Sequence, residues 1–301
     1  MNGYLAAGLA ALIWASYPVA TRAGITGAFT PQDLFALRFG VGALLFIPYL
    51  LLHFRAIPRK AWLQGLPLMV FQGAGMGALV IWGLQLAPAH HQAALGPGIV
   101  PAWVALLGFL IFARRPSARL VAGALLCVSG VLLIAWWGIR ANNTSVLAGD
   151  AMFLAASGLG ALYVLQLRSW GVNAIQAAAI VTLYSALAVV PWYLWSAPAS
   201  LWRAAPLELF WQVLWQGVLI GCVAFIAFNH AIARLGAERS SAVVALVPVL
   251  TAILAMVFLG EVPAPVEVAA FLAISAGVSI GASRGYSGRP AVASAPMKRL
   301  A

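Results

Sequence analysis

The stretch PAWVALLGFLIFARRP (101–116) returns with the same spacing as PVLTAILAMVFLGEVP (248–263). Each segment begins and ends on proline and keeps an almost wholly apolar interior. The offset, from Pro101 to Pro248, is 147. Further along, Gly130-Val131 falls on Gly277-Val278 at that same offset. Near the start, Gly3, Tyr17 and Arg22 fall on Gly149, Tyr163 and Arg168 at 146. Matches at nearly one offset along the chain predict a duplicated unit, residues 1–147 followed by 148–284.

Composition says what kind of unit this is. Of the 301 residues, 64% are hydrophobic and 8% charged, whereas a soluble domain carries about 25% charged residues. The 29 glycines and 17 prolines sit inside the apolar runs, where membrane helices tolerate them. The net charge of +11 punctuates those runs instead of forming one basic stripe, which excludes a nucleic-acid partner and points to topogenic charge. Cys127 and Cys222 lie in mid-span apolar stretches with no CxxC or Cys/His spacing; both are expected to pack, with no disulfide or metal. No basic stretch precedes the first apolar run at Gly3, so that run reads as a retained span, not a cleaved leader.

A span needs about 20 apolar residues. Breaks at charge, proline and polar clusters predict ten spans: 3–21, 33–52, 65–86, 92–112, 118–137, 149–167, 174–195, 211–232, 240–259 and 265–283. Segment 285–301, rich in Ser, Pro and Ala, reads as a disordered cytoplasmic tail. The even-numbered connections and the tail hold Arg55, Arg59, Lys60, Arg114, Arg115, Arg119, Arg168, Arg234, Arg239, Arg284, Arg289, Lys298 and Arg299. The odd ones hold only Arg22, Arg140 and Arg203. Both termini are therefore expected in the cytoplasm. Five spans per unit is an odd number, so the second unit enters the bilayer inverted. Inverted repeats place a substrate site at their interface near mid-membrane, and transport proceeds by rocking one element against another.

The blocks ALIWASYPVATR (11–22), LFALRFGVGALL (34–45), 89–116 and 236–263 resemble, in order, the drug/metabolite transporter superfamily of EamA type, over residues 3–283. Within it the chain looks most like the YddG-like exporters of aromatic and other neutral amino acids. The resemblance implies an all-α integral membrane fold of ten helices in a bacterial-type inner membrane. It further implies export by alternating access, with no cofactor and no enzymatic activity, by a chain that works as a monomer. Relatives often carry Gly-Glu after both span 4 and span 9; here only Gly260-Glu261 does, and Ala113-Arg114 stands at the other place.

Polar groups within spans are costly and mark candidates for function. Arg38 reads either as a snorkelling side chain or as the partner of a substrate carboxylate. Tyr17 and Tyr163, at equivalent positions, read as cavity aromatics or as belt residues, and Trp14 shares the first-span block. Gln72 and Met76 lie one turn apart on span 3, and Pro101 lies in span 4. Together these seven form the expected substrate site. Pro18, Pro97, Pro101 and Pro248 are expected to kink their helices and serve as hinges. Trp192, Trp195, Trp202, Trp211 and Trp215 read as an interfacial belt. His90 and His91 lack nearby cysteine or acidic partners in sequence, so no metal role is expected. Asp33, Asp150, Glu208, Glu238, Glu261 and Glu267 all fall at span ends or connections. Without a mid-span carboxylate, facilitated diffusion of zwitterions is favoured over proton-coupled export of cations. Export of other small metabolites or lipophilic drugs is the alternative. A membrane-embedded enzyme or scaffold finds no support in such short, acid-poor loops.

Overall fold

In the computed structural model, residues 2–113, 115–170, 173–196, 200–235, 243 and 245–282 are described. The predicted tail lies outside them, as do Glu238, Arg114 and the side chains of Arg168, Cys222 and Asn229. Every regular element among the described residues is a helix. The first half holds α1 (Gly3–Thr26), α2 (Pro31–His53), α3 (Arg59–Gln72), α4 (Ala74–Leu86), α5 (Ala89–Leu95), α6 (Val100–Phe112) and α7 (Ala118–Arg140). The second holds α8 (Thr144–Trp170), α9 (Ala174–Ser196), the short α10 (Ser200–Arg203), α11 (Pro206–Gln212), α12 (Ala224–Leu235), α13 (Val247–Leu259) and α14 (Pro265–Ala282). A widened π-type turn, Val213–Val223, joins α11 to α12. Eight of the helical stretches are long and apolar enough to cross a bilayer, while Val247–Leu259 and Pro265–Gly281 are shorter apolar helices.

Local chemistry sets the helix ends. Thr30 and Asp33 form a reciprocal capping box, with Thr30 Oγ1 accepting from the Asp33 N–H (3.2 Å) and Asp33 Oδ2 from the Thr30 N–H (2.7 Å). These two bonds satisfy donors that a helix start leaves open. Ser117 caps α7 through the Leu120 N–H. The α6 helix ends on Ala113 at φ 50 and α13 ends on Gly260 at φ 67, both left-handed. Those two positions are 147 apart, so the backbone repeats the offset seen in the sequence.

The helix pairing is reciprocal between the halves. Helix α1 packs on α12 as α4 packs on α8, and α1 packs on α13 as α6 packs on α8; α2 meets α9, and α7 meets α14. At the α7–α14 crossing a Cβ on Gly123 would meet Gly277 O at 2.5 Å, and one on Gly130 would meet Ala270 O at 2.8 Å. Gly277 is the 147-offset equivalent of Gly130, and Ala270 that of Gly123. Each residue thus touches the other's counterpart, as two-fold packing requires. Glycine permits this close approach. The outer surface carries exposed Leu51, Leu52, Leu110, Leu125, Val257 and Phe258, an apolar skin that suits lipid and no aqueous surface.

Several expectations are corrected. The first span runs on to Thr26, so Arg22 is helical and not in a connection. The eighth begins at Pro206, ahead of 211. Pro101 and Pro248 do not kink helix interiors; each sits in the first turn of its helix, where a missing N–H leaves no bond unmade. Pro97 opens a 3-10 turn, Pro97–Ile99, that separates α5 from α6. Pro18 alone of the four lies within a helix. Trp215 is not a belt residue: it is half-buried and donates to Ser16 Oγ at 3.0 Å.

Candidate functional site

The third span of each half is irregular at the same level. Between α3 and α4 the chain breaks at Gly73 (φ -92, ψ -125). A Cβ there would fall 2.2 Å from Ser185 Oγ and 2.9 Å from Val181 Cγ1, so only glycine lets α9 close in. The break frees the Ala74 N–H, which donates to Ser185 Oγ at 3.0 Å. Buried backbone in a membrane needs such a partner. Adding 147 to 73 gives 220, inside the π-type turn 213–223. Paired irregular spans of two halves mark the site in transporters, and π-type turns recur at functional sites.

A cavity of about 180 Å³ lies between these two irregular stretches. Arg38, Phe39, Gly42 and Phe46 of α2 line one side, Gln72 and Tyr163 another, Val181 and Thr182 of α9 a third, and Gln216, Ile220 and Gly221 the last. The Arg38 guanidinium hydrogen-bonds the Tyr17 hydroxyl and rests 4.8 Å from the centre of the Tyr17 ring. It is therefore held in place and does not snorkel to carbonyls. Gln216 is fully buried; its Nε2 donates to Thr21 Oγ1 at 2.9 Å, and its Oε1 accepts no hydrogen bond among the described residues. The cavity thus offers a fixed cation, the polar side chains of Gln72, Tyr163 and Thr182, and aromatic walls. No Asp or Glu among the described residues lines it.

Of the sequence candidates, Arg38, Gln72 and Tyr163 meet in this cavity and Tyr17 holds Arg38. Met76 shares the Gln72 face: a Cβ on Gly160 would lie 3.6 Å from Met76 Sδ and 3.8 Å from Gln72 Oε1. Trp14 points elsewhere, edge-on to Phe228 at 4.9 Å and packed among α1 and α13 residues. Pro101 lies against α14, 3.7 Å from a Cβ built on Gly281. Gln216, Thr182, Ile220 and Gly221 line the cavity as well and are not among the candidates expected from sequence.

A second polar assembly closes the end of the bundle where α1 finishes and α2 begins. Arg22 Nε donates to Glu261 Oε1 at 2.7 Å, and Glu261 Oε2 accepts from the Ala89 N–H at 2.9 Å. Beneath them His91 Nδ1 lies 2.8 Å from Asp150 Oδ1, and His91 Nε2 lies 2.9 Å from Glu267 Oε1. His90 stands 5.0 Å from His91, ring to ring. The histidines therefore do have acidic partners, contrary to the sequence expectation. The fold brings those partners from 59 to 176 residues away.

A larger groove of about 560 Å³ runs between α6 and α7, lined by Trp103, Leu106, Phe109, Leu125 and Val128. Its walls are apolar and several are among the exposed side chains of the outer skin. It has the chemistry of a seat for lipid chains and offers nothing to orient a polar solute.

Residues 1–136 and 147–281 match the sequence profile of the EamA-like transporter family. A probable terminal-alkyne amino-acid exporter of Streptantibioticus cattleyicolor is 28% identical over 97% of this chain and 96% of its own length. An uncharacterized transporter of Bacillus subtilis, YetK, is 25% identical over 65% of this chain and 59% of its own. A protein of known crystal structure shares the fold with a TM-score of 0.63 at 21% identity, covering 92% of this chain and 96% of that one.

Proposed function

The chain belongs to the EamA-like transporter family, a multi-pass membrane protein, and we propose that it exports neutral amino acids with apolar or aromatic side chains. The observation that carries this reading is the placing of the Arg38 guanidinium in one cavity with Gln72 and Tyr163, among largely apolar walls. A zwitterion needs one fixed positive group for its carboxylate and one acceptor for its ammonium. Arg38 supplies the first through a planar donor fork. Gln72 and the Tyr163 hydroxyl supply the second. Phe39, Phe46 and Ile220 receive the side chain. The similarity to an amino-acid exporter supports the same substrate class.

In this reading ten helices cross a bacterial-type inner membrane as two inverted repeats, 1–147 and 148–284, with both termini cytoplasmic. The two separately matched stretches support the division, as does the reciprocal packing of the halves. The Arg22–Glu261 end faces outward and is shut, while the cavity lining follows α2 from Arg38 to Phe46, about 12 Å toward the cytoplasm at 1.5 Å per residue. Alternating access opens the outer end as the inner one closes. With no carboxylate on the cavity wall, flux follows the substrate gradient, as in an uncoupled facilitator. Export of other small metabolites or lipophilic drugs is weaker, because a drug leaves Arg38 unpaired.

The test is uptake of labelled phenylalanine, tryptophan, threonine and methionine into proteoliposomes, with and without a pH gradient. Saturable flux of at least one, indifferent to the gradient, is expected. Absence of flux for all four refutes the amino-acid reading, and flux that collapses without the gradient refutes the facilitator.

A further inference from the structure

The transport cavity makes no use of the buried histidine pair at the opposite end. His90 and His91 are each 2% exposed. Both ring nitrogens of His90 are buried without a hydrogen-bond partner among the described residues. Nδ1 faces Glu261 Oε2 at 3.8 Å, and Nε2 faces Glu267 Oε2 at 3.9 Å. An imidazole this dry and unpartnered is costly to keep.

His91 poses the complementary difficulty. Its two nitrogens approach two carboxylates, Asp150 and Glu267. A neutral imidazole has one N–H and can serve only one of them. Counted as ionised, Asp150, Glu261 and Glu267 bring three negative charges and Arg22 returns one positive. Two more positive charges balance the assembly.

We propose that His90, His91 and Glu267 form a binding site for a divalent transition-metal ion of the zinc class, shared between the two halves of the protein. One donor atom from each of the three lies within 4.8 Å of the others. Tetrahedral zinc, with bonds near 2.0–2.1 Å, sets its ligands about 3.3 Å apart. The His91–Glu267 separation of 2.9 Å opens slightly to reach that. His90 Nε2 lies 3.9 Å from the other Glu267 oxygen, Oε2, and comes in by turning a ring that no hydrogen bond holds among the described residues. With the ion on each Nε2, His91 Nδ1–H is free to donate to Asp150 and His90 Nδ1–H turns toward Glu261. Carboxylate-supported imidazoles of this kind orient metal ligands and raise their basicity. Glu267 is itself anchored, because its Oε2 accepts from the Ala264 N–H at 2.6 Å. Two imidazoles and one carboxylate favour zinc and its neighbours over magnesium or calcium, which prefer all-oxygen shells. The ion supplies both missing charges. It also ties α5 of the first half to α14 of the second, clamping this end shut.

The site does not depend on what the protein carries, so the test reads binding directly. Isothermal titration of the full-length chain in detergent, with any affinity tag removed, uses ZnCl2 against MgCl2 as the control. One zinc per chain at micromolar affinity or tighter is expected, with no magnesium binding at tenfold higher concentration. His90→Gln removes an imidazole that makes no hydrogen bond among the described residues, and it weakens zinc at least tenfold. Asp150→Asn, which spares the ligands, weakens it 10- to 100-fold. The proposal is overturned by the absence of saturable zinc binding in the wild type. It is equally overturned by affinity unchanged in His90→Gln, by magnesium binding as tightly, or by heat that reports proton exchange without metal retention after dialysis.

Discussion

Replacing Arg38 with glutamine removes the fixed cation among the described lining residues while keeping a shorter, neutral donor. The guanidinium is held by the Tyr17 hydroxyl and stacks on that ring at 4.8 Å, so little side-chain freedom is lost when a carboxylate arrives. A hydrogen bond to a charged partner contributes about 1.5–3 kcal/mol. At 1.4 kcal/mol per factor of ten, Arg38→Gln should raise the KM for phenylalanine about 10- to 150-fold. Arg38→Lys keeps the charge but loses the two-pronged fork and should fall between. The lost contact with the Tyr17 ring, roughly 0.5–1 kcal/mol, comes off protein stability and leaves the substrate term alone. The discriminating assay is competition in proteoliposomes between phenylalanine and phenethylamine, which lacks the carboxylate. In the wild type phenylalanine competes better; in Arg38→Gln that advantage should vanish. A loss under threefold for phenylalanine, or an equal loss for both compounds, refutes the carboxylate role and leaves Arg38 a packing residue of α1 and α2.

Three stability changes follow from backbone geometry, each read as thermal unfolding of the detergent-solubilised protein. Ala113 sits at φ 50, where a Cβ costs roughly 1–2 kcal/mol; Ala113→Gly should stabilise by about 1 kcal/mol, and no gain means the strain is relieved elsewhere. Gly277→Ala puts a Cβ 2.6 Å from Gly123 O and 2.7 Å from Cys127 Sγ, whereas Gly281→Ala meets nothing nearer than 3.7 Å. The first should cost about 1–3 kcal/mol and the second little, and equal effects would argue against close crossing of α7 and α14. Ser185→Ala strands the Ala74 N–H at the α3–α4 break, a loss of about 1–3 kcal/mol, which Ser185→Thr should largely avoid; identical behaviour of the two variants counts against the hydroxyl's role.

How much of this the sequence discloses depends on the range of the interaction. Apolar runs of about 20 residues are local, so most spans are readable from hydropathy, with errors of a few residues at their ends. Arg22 shows why the ends slip. It reads as the close of span 1, yet the helix continues to Thr26 because the Arg22 charge is met by Glu261, 239 residues away. The same blindness hid the acid partners of His90 and His91, since Glu267 and Asp150 join them only through tertiary packing. Arg38, Gln72 and Tyr163 were readable as polar groups inside apolar helices, where each is expensive. Gln216 was passed over although it obeys the same rule. The break at Gly73 looks in sequence like one more small residue in a glycine-rich run. Pro101 and Pro248 drew attention as breakers, but a proline at a helix start and one in its interior look alike until the start is located.

The offset that decides the fold also shows where the halves stop being equivalent. Ala113 and Gly260 share a left-handed turn, and the Gly73 break has its counterpart in the π-type turn around 220. The left-handed turn is the same in both halves and the third spans are irregular at matching positions, though by a break in one and a π-type stretch in the other. The charges are not symmetric. Arg22 and Glu261, which pair at 2.7 Å, correspond in sequence, at 146 and 147, to Arg168 and Arg114, two like charges. Under the proposed alternating-access reading a symmetric scaffold rocks either way with equal ease, and positions where the second copy of the repeat has diverged from the first, Glu261 against Arg114 among them, make the two arrangements unequal.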